Sequence, residues 1–145
     1  MLSYSKEVSG KDRSRLLQLH FNLDCTKGAV AFNSKSIIRG FASVTSTGPR
    51  EAHIYKIAPV YAESIDVALT VIHCLLVEIE KKDPDAIALI CTGNDSAGEQ
   101  LRPLLQGKCI LSKFTAHTLF SKPYANPMDF SRMFAAHNHS GHMDA

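Results

Sequence analysis

Apolar residues recur along the chain in periods that predict a β-hairpin followed by a strand–helix–strand unit. Two strand-like runs, 28–32 and 37–44, flank the polar turn 33–35, which predicts the hairpin. Residues 53–58 form the next predicted strand. We expect that strand to stop at Pro59, because proline cannot donate a hydrogen bond to a neighbouring strand.

The strongest helical pattern begins after Ser64, a residue type that caps helix N-termini well. Apolar residues recur through position 79 on a face so wide that we expect neighbouring elements to cover the helix on most sides. The segment 83–85 ends this helix. The run 86–91 is apolar throughout, which predicts a buried central strand parallel to 53–58, since a helical crossover joins parallel strands.

Shorter elements are predicted towards the two ends of the chain. Residues 11–24 carry a helical pattern behind Asp12, a residue type that caps helices. Ser96 and Glu99 have capping-box spacing, which predicts a short helix with Leu101, Leu104 and Leu105 turned inward. Further strands are predicted at 109–111, 116–120 and 132–135.

Together these elements predict one α/β domain over residues 1–136 and a polar, His-containing tail over 137–145. The predicted fold class is a mixed, mostly antiparallel sheet with a central parallel strand pair and flanking helices. A chain of 145 residues is long enough to bury one such core. We expect no metal site, because the tail histidines have no carboxylate or cysteine within their run.

Composition and charge exclude several classes of function. The net charge is +2 and the basic residues are not gathered on one segment, so we expect no nucleic-acid partner. No stretch is long and apolar enough to span a bilayer, so we expect no membrane partner. The four cysteines are widely spaced, and apolar neighbours of Cys74, Cys91 and Cys109 predict buried free thiols. This pattern is typical of an intracellular, cytoplasmic protein.

The order of elements and three short motifs resemble the GCN5-related N-acetyltransferase (GNAT) fold. Residues 29–32 and 38–44 look like the family's paired strands, with the pattern G-x-x-x-V from Gly40. Residues 57–61, Ile-Ala-Pro-Val-Tyr, look like the V-x-P-x-Y that leads into its cofactor loop. Residues 94–97 look like its N-x-x-A.

A narrower resemblance is to the YitH-type acetyltransferase domain, the second half of some GNAT proteins. Residues 10–17 are similar to its G-x-D-R-x-x-x-L pattern, and residues 57–64, the long apolar helix and 132–134 follow in the expected order. The similarity extends over roughly residues 8–135. It implies an acetyl-CoA-dependent enzyme or a relative of one.

The resemblance implies that acetyl-CoA binds where the strand after the hairpin enters the long helix. In this family a glycine-rich loop presents backbone N–H groups to the pyrophosphate. Here Ala62 replaces the usual arginine, and Glu63, Ile65 and Val67 occupy the glycine positions, which implies weak binding. The implied cofactor-binding residues are Ile57, Ala58, Tyr61, Ala62, Glu63, Ser64, Ile65, Asp66 and Asn94.

The family's usual general acid is a tyrosine in the short helix, where this chain has Leu101 or Pro103. Neither residue can transfer a proton. The candidates that remain are Tyr61, the aromatic hydroxyl closest in sequence to the cofactor loop, and His53, whose pKa is normally near neutrality. Each also has a structural explanation, as a packed strand-end tyrosine and as a solvated strand residue.

Three functional hypotheses remain open at the level of the sequence. The first is an N-acetyltransferase that moves an acetyl group from acetyl-CoA to a small-molecule or peptide amine. The second is a non-catalytic module that keeps the fold, binds a ligand and has an eroded cofactor loop. The third is a homodimer in which the final strands pair across the interface, since open strand edges favour such pairing.

Overall fold

The computed structural model describes residues 1–46, 53–93, 96–105 and 127–136. Asn94, the predicted strands 109–111 and 116–120, Cys109 and the tail 137–145 lie outside the described residues. The elements in chain order are α1 Leu2–Ser9, α2 Ser14–Phe21, β1 Thr26–Phe32, β2 Ile38–Ser46, β3 Ile54–Ala62, α3 Ile65–Lys82, β4 Ile87–Leu89, a 3₁₀ helix Ala97–Gln100, α4 Leu101–Leu105, a second 3₁₀ helix Phe130–Arg132 and β5 Met133–Ala135.

The five strands that the structure describes form one mixed, mostly antiparallel sheet in the order β1-β2-β3-β4, with β5 also paired to β3. The predicted hairpin is confirmed: β1 and β2 pair antiparallel, and Asn33 Oδ1 accepts from the amides of Lys35 and Ile37 in the turn. β2 pairs antiparallel with one edge of β3, and β4 and β5 pair with its other edge, so β3 is a central strand of the sheet.

The expectation that Pro59 ends its strand is wrong, because β3 continues to Ala62. Opposite Pro59 the register of β2 and β3 shifts, so that Ala58 and Pro59 together face Ser43. This is a β-bulge, one of the few places in a sheet where a missing N–H is tolerated. The Ser43 hydroxyl donates to the Ala58 carbonyl oxygen at 2.5 Å and so replaces a ladder hydrogen bond at the bulge.

β4 is not the buried strand that its apolar run predicts. It spans only Ile87–Leu89, and it pairs in parallel with Ile54–Lys56 of β3. Ile87 and Leu89 are exposed. Continuous hydrophobicity is typical of strands covered on both faces, and among the described residues β4 lacks that cover.

α3 packs on one face of the sheet through a single stripe of its surface. Ser64 caps it as predicted, and its buried residues are Ala68, Val71, Ile72, Leu75 and Ile79. These contact Ala42, Val44, Ile57 and Val60 of the sheet. Cys74 and Leu76 are exposed, so the prediction that the helix is covered on most sides is wrong.

A second core fills the opposite face of the sheet, beneath α1 and α2. Its buried members are Tyr4, Val8, Phe41, Tyr61, Met128 and Met133. Alternation along β2 sends Phe41 to this side and Ala42 to the α3 side. Neighbouring strands and helices thus produce two apolar layers around one sheet.

Among the shorter predicted features, some are confirmed by the structure and others are wrong. The predicted helix 11–24 is shorter, and α1 before it was not predicted. Leu104 is exposed, whereas Leu101 is buried as expected. Cys91 is only partly buried. The strand predicted at 132–135 is confirmed as β5.

Candidate functional site

The N-terminus of α3 is an exposed set of backbone donors at the end of the central strand. β3 ends at Ala62, and α3 begins three residues later at Ile65. Ser64 has extended backbone geometry, and its Oγ accepts from the Val67 amide at 3.3 Å. Ser64 and Asp66 are exposed. An 18-residue helix concentrates positive potential at such an end, which favours an anion.

Glu63 does not point its charge freely at this helix end. Its Oε2 lies 2.6 Å from Arg39 Nη2, and its amide donates to the Arg39 carbonyl at 2.9 Å. Arg39 lies on β2, the strand next to β3. The negative charge of Glu63, at a position where the resemblance implies glycine, is therefore paired with a cation from a neighbouring strand.

Gly40 of β2 lies in tight contact with the first turn of α3 and with β3. A Cβ added to Gly40 would lie 2.7 Å from Val67 Cγ1 and 2.9 Å from the Tyr61 carbonyl oxygen. A larger residue at position 40 would push the strand and helix apart. Gly40 thereby keeps Arg39 beside the start of α3.

The edge of β3 that faces away from β2 has three zones. β4 pairs with Ile54–Lys56, and β5 pairs with Val60 and Tyr61. Among the described residues, no strand pairs with 57–59 on this edge. Two of the predicted cofactor-binding residues, Ile57 and Ala58, thus lie in a gap of the sheet, and both side chains are buried.

Tyr61 is a core residue. It is 1% exposed, its ring meets that of Phe41 edge-on at 5.4 Å, and burial raises its pKa to about 12. A phenol with so high a pKa stays protonated and is a poor proton donor to a thiolate. These features favour the packing role for Tyr61.

His53 lies at the opposite end of β3 from the cofactor loop. Eight residue steps separate Ile54 from Ala62, which is roughly 25 Å of strand. The Nδ1 atom of His53 lies 2.7 Å from Oδ1 of Asp83, at the C-terminal end of α3. Hydrogen bonds from His53 and Tyr55 lower the pKa of the Asp83 carboxyl against the opposing effect of desolvation. His53 therefore lies far from the helix end at Ser64, and its ring is bound to Asp83.

Sequence reasoning missed a hydrogen-bonded chain that supports the bulge. His20 Nε2 lies 2.8 Å from Ser43 Oγ, which donates its single proton to the Ala58 carbonyl. The histidine must therefore be the donor to Ser43. His20 falls within the helical pattern of 11–24, but its partner, 23 residues away, is visible only in the folded chain.

The burial of His20 predicts a pH dependence of stability. Desolvation lowers the pKa of His20 below its ordinary value near 6.5, so the unfolded state binds the proton more readily. Stability should fall as the pH drops below about 6.5 and the unfolded chain takes up protons. We expect the loss of unfolding free energy between pH 7.5 and pH 5.5, from urea titrations, to be smaller in His20→Gln. Equal losses in both proteins would contradict the assignment.

Neither metal ligands nor a membrane span emerge from the described part of the chain. No group of three or more His, Cys, Asp or Glu side chains there could hold a metal ion. None of its helices is long and apolar enough to cross a membrane.

Comparisons with known proteins agree with this geometry. The family model described as "Acetyltransferase (GNAT) domain" matches residues 1–97. The chain is 31% identical over 144 residues to "Uncharacterized protein F36G3.2" of Caenorhabditis elegans. The aligned region covers 99% of this chain and 46% of that protein. The chain thus spans less than half the length of this relative.

Solved structures show the same fold at low sequence identity. The ribosomal-protein-alanine N-acetyltransferase of Brucella melitensis biovar Abortus 2308 matches with a TM-score of 0.56 at 9% identity, over 82% of this chain and 88% of that one. A structure described as a probable acetyltransferase matches with a TM-score of 0.56 at 12% identity, over 85% and 88%. The chain belongs to the GNAT acetyltransferase-domain family.

Proposed function

We propose that this chain is an acetyl-CoA-dependent N-acetyltransferase domain of the YitH type that acts inside the cell on an amine. The observation that carries the proposal is the capped, exposed N-terminus of α3 directly after the bulged central strand. The Glu63 carboxylate, the main electrostatic objection to a phosphate at this position, is paired with Arg39. Membership of the GNAT family supports the choice of cofactor.

In the proposed complex the pyrophosphate of acetyl-CoA lies against the first amides of α3. The charge of two phosphates interacts favourably with the helix N-terminus and with the guanidinium of Arg39, whose side chain is 44% exposed. The thioester end of the cofactor then follows β3 towards the gap beside 57–59. About five residue steps separate Ser64 from Pro59, which is roughly 16 Å of extended chain.

The proposed reaction is a direct acyl transfer. The nitrogen of a neutral amine attacks the thioester carbonyl carbon, the new C–N bond forms, and the C–S bond breaks. The amine loses one proton, and the departing CoA thiolate accepts one. Tyr61 is buried in the core and His53 is paired with Asp83. We therefore propose that the helix end and the β3 edge contribute to the reaction by binding and orienting the reactants.

Calorimetric titration of acetyl-CoA into the pure protein tests the proposal. We expect binding in the micromolar range that weakens as salt is raised from low to moderate concentration, because exposed charges are screened. Acetyl-pantetheine, which lacks the nucleotide and the pyrophosphate, is the matched control and should bind far more weakly. Absence of heat with millimolar acetyl-CoA would remove the enzyme proposal.

The second candidate function is a GNAT-fold module that binds a ligand or a second copy without turnover. It is favoured by the pairing of β5 with Val60 and Tyr61, which narrows the space beside the cofactor loop. The presence of Leu101 or Pro103 where the family has its acid tyrosine also favours a module without turnover. Binding of acetyl-CoA without CoA release in the presence of a panel of amines would favour this candidate over the first.

A further inference from the structure

β5 occupies the edge of β3 that leads directly into the cofactor loop. Val60 faces Ala135 and Tyr61 faces Met133 in an antiparallel pair whose register shifts between these two positions. β2 already takes the other edge of β3 at the same residues, so β5 uses the remaining backbone donors and acceptors there. The next residue along β3 is Ala62, which stands where the resemblance places the arginine of the cofactor loop.

This strand is firmly held. Phe134 is 1% exposed and belongs to the α3 core, and a Cβ on Gly98 would collide with the Phe134 carbonyl oxygen. Arg132, just before β5, binds Glu7 and Asp129, each at 2.6 Å. The contact with Glu7 ties the segment before β5 to α1.

An extended ligand that reaches from the start of α3 along β3 needs the same edge. Strand edges bind extended chains through main-chain hydrogen bonds, and one edge accepts one partner at a time. β5 covers Val60 and Tyr61, which lie between the anion-binding helix end and the gap beside 57–59. The two occupants therefore compete for one short segment of backbone.

We propose that β5 is a built-in competitor of the cofactor, and that acetyl-CoA binds fully only when β5 releases the Val60–Tyr61 edge. This inference rests on the proposed function and adds its regulation. The observed affinity is then reduced by the fraction of molecules in which β5 is released. Anything that weakens the hold on β5 raises affinity, and anything that locks β5 abolishes binding.

A reversible lock tests the inference. Val60 and Ala135 are direct cross-strand partners, and such pairs lie about 4.5–5.5 Å apart at Cα, within disulfide range. In the double variant Val60→Cys/Ala135→Cys we expect acetyl-CoA affinity at least about tenfold lower in the oxidised than in the reduced protein. Wild type under the same oxidant controls for its four native cysteines. Equal affinity in both redox states would overturn the inference and leave the proposed function standing.

A second variant is expected to change acetyl-CoA affinity in the opposite direction. It tests the inference even if the double-cysteine protein does not fold. Arg132→Gln removes both ion pairs in front of β5, and we expect about three- to fivefold tighter acetyl-CoA binding. Lys81→Gln, which breaks the exposed Lys81–Glu78 pair at the far end of α3, is the matched control and should change nothing. Unchanged or weaker binding in Arg132→Gln overturns the inference. No binding by any form removes the proposed function, and the inference with it.

Discussion

Replacing Phe41 with alanine is expected to lower the free energy of unfolding by about 3–5 kcal/mol, the usual cost of removing a buried phenylalanine. Phe41 is fully buried in the core beneath α1 and α2. Its ring contacts three others, at centroid distances of 6.3 Å to Tyr4, 6.4 Å to Phe21 and 5.4 Å to Tyr61. The lost stability has two parts. One is the favourable free energy of burying the ring, and the other is the cost of a cavity that the neighbouring strands cannot close.

Phe32→Ala is the matched control for this experiment. Phe32 lies on β1, the strand paired with the one that carries Phe41, but its side chain is 59% exposed. Its removal should change the unfolding free energy by no more than about 0.5 kcal/mol. Urea titration followed by circular dichroism measures both variants. Similar losses in the two would mean that the second core does not depend on the Phe41 ring.

Replacing Ser64 with aspartate is expected to weaken acetyl-CoA binding roughly 10- to 100-fold while leaving stability unchanged or slightly higher. Aspartate caps helices as well as serine does, so α3 keeps its N-terminal hydrogen bond. The added carboxylate, however, lies within a few ångströms of the proposed pyrophosphate. Like charges at that range cost about 1–3 kcal/mol at intermediate dielectric, which corresponds to the stated loss of affinity.

Ser64→Asn is the control that separates charge from shape. Asparagine has the size of aspartate and also caps helices, but it is neutral, so affinity should stay close to that of wild type. Calorimetry and thermal melts of the three proteins at low salt give the comparison, and raising the salt should shrink the difference between Asp and Asn. If aspartate and asparagine bind acetyl-CoA equally well, the pyrophosphate does not lie at the start of α3.

The candidate site was only partly open to prediction from sequence. The cap at Ser64 followed from a local rule, since a serine before a periodic apolar run satisfies donors within its own helix turn. The compensation of Glu63 by Arg39 did not, because the two side chains are 24 positions apart and meet only when β2 and β3 pair. The distance from His53 to the cofactor loop likewise depends on how far β3 extends past Pro59.

The amino-acid sequence by itself determined the hairpin, the start and end of α3, the strand after Arg132 and the GNAT membership. Each of these depends on contacts within a few residues or on the order of such elements. Only the tertiary structure decided that a bulge carries β3 through Pro59, that β4 stays short and half exposed, and that β5 takes the edge beside the cofactor loop. The physical reason is that strand pairing, burial and charge compensation depend on contacts between segments distant in sequence. Local periodicity does not determine which strand edge a given segment pairs with.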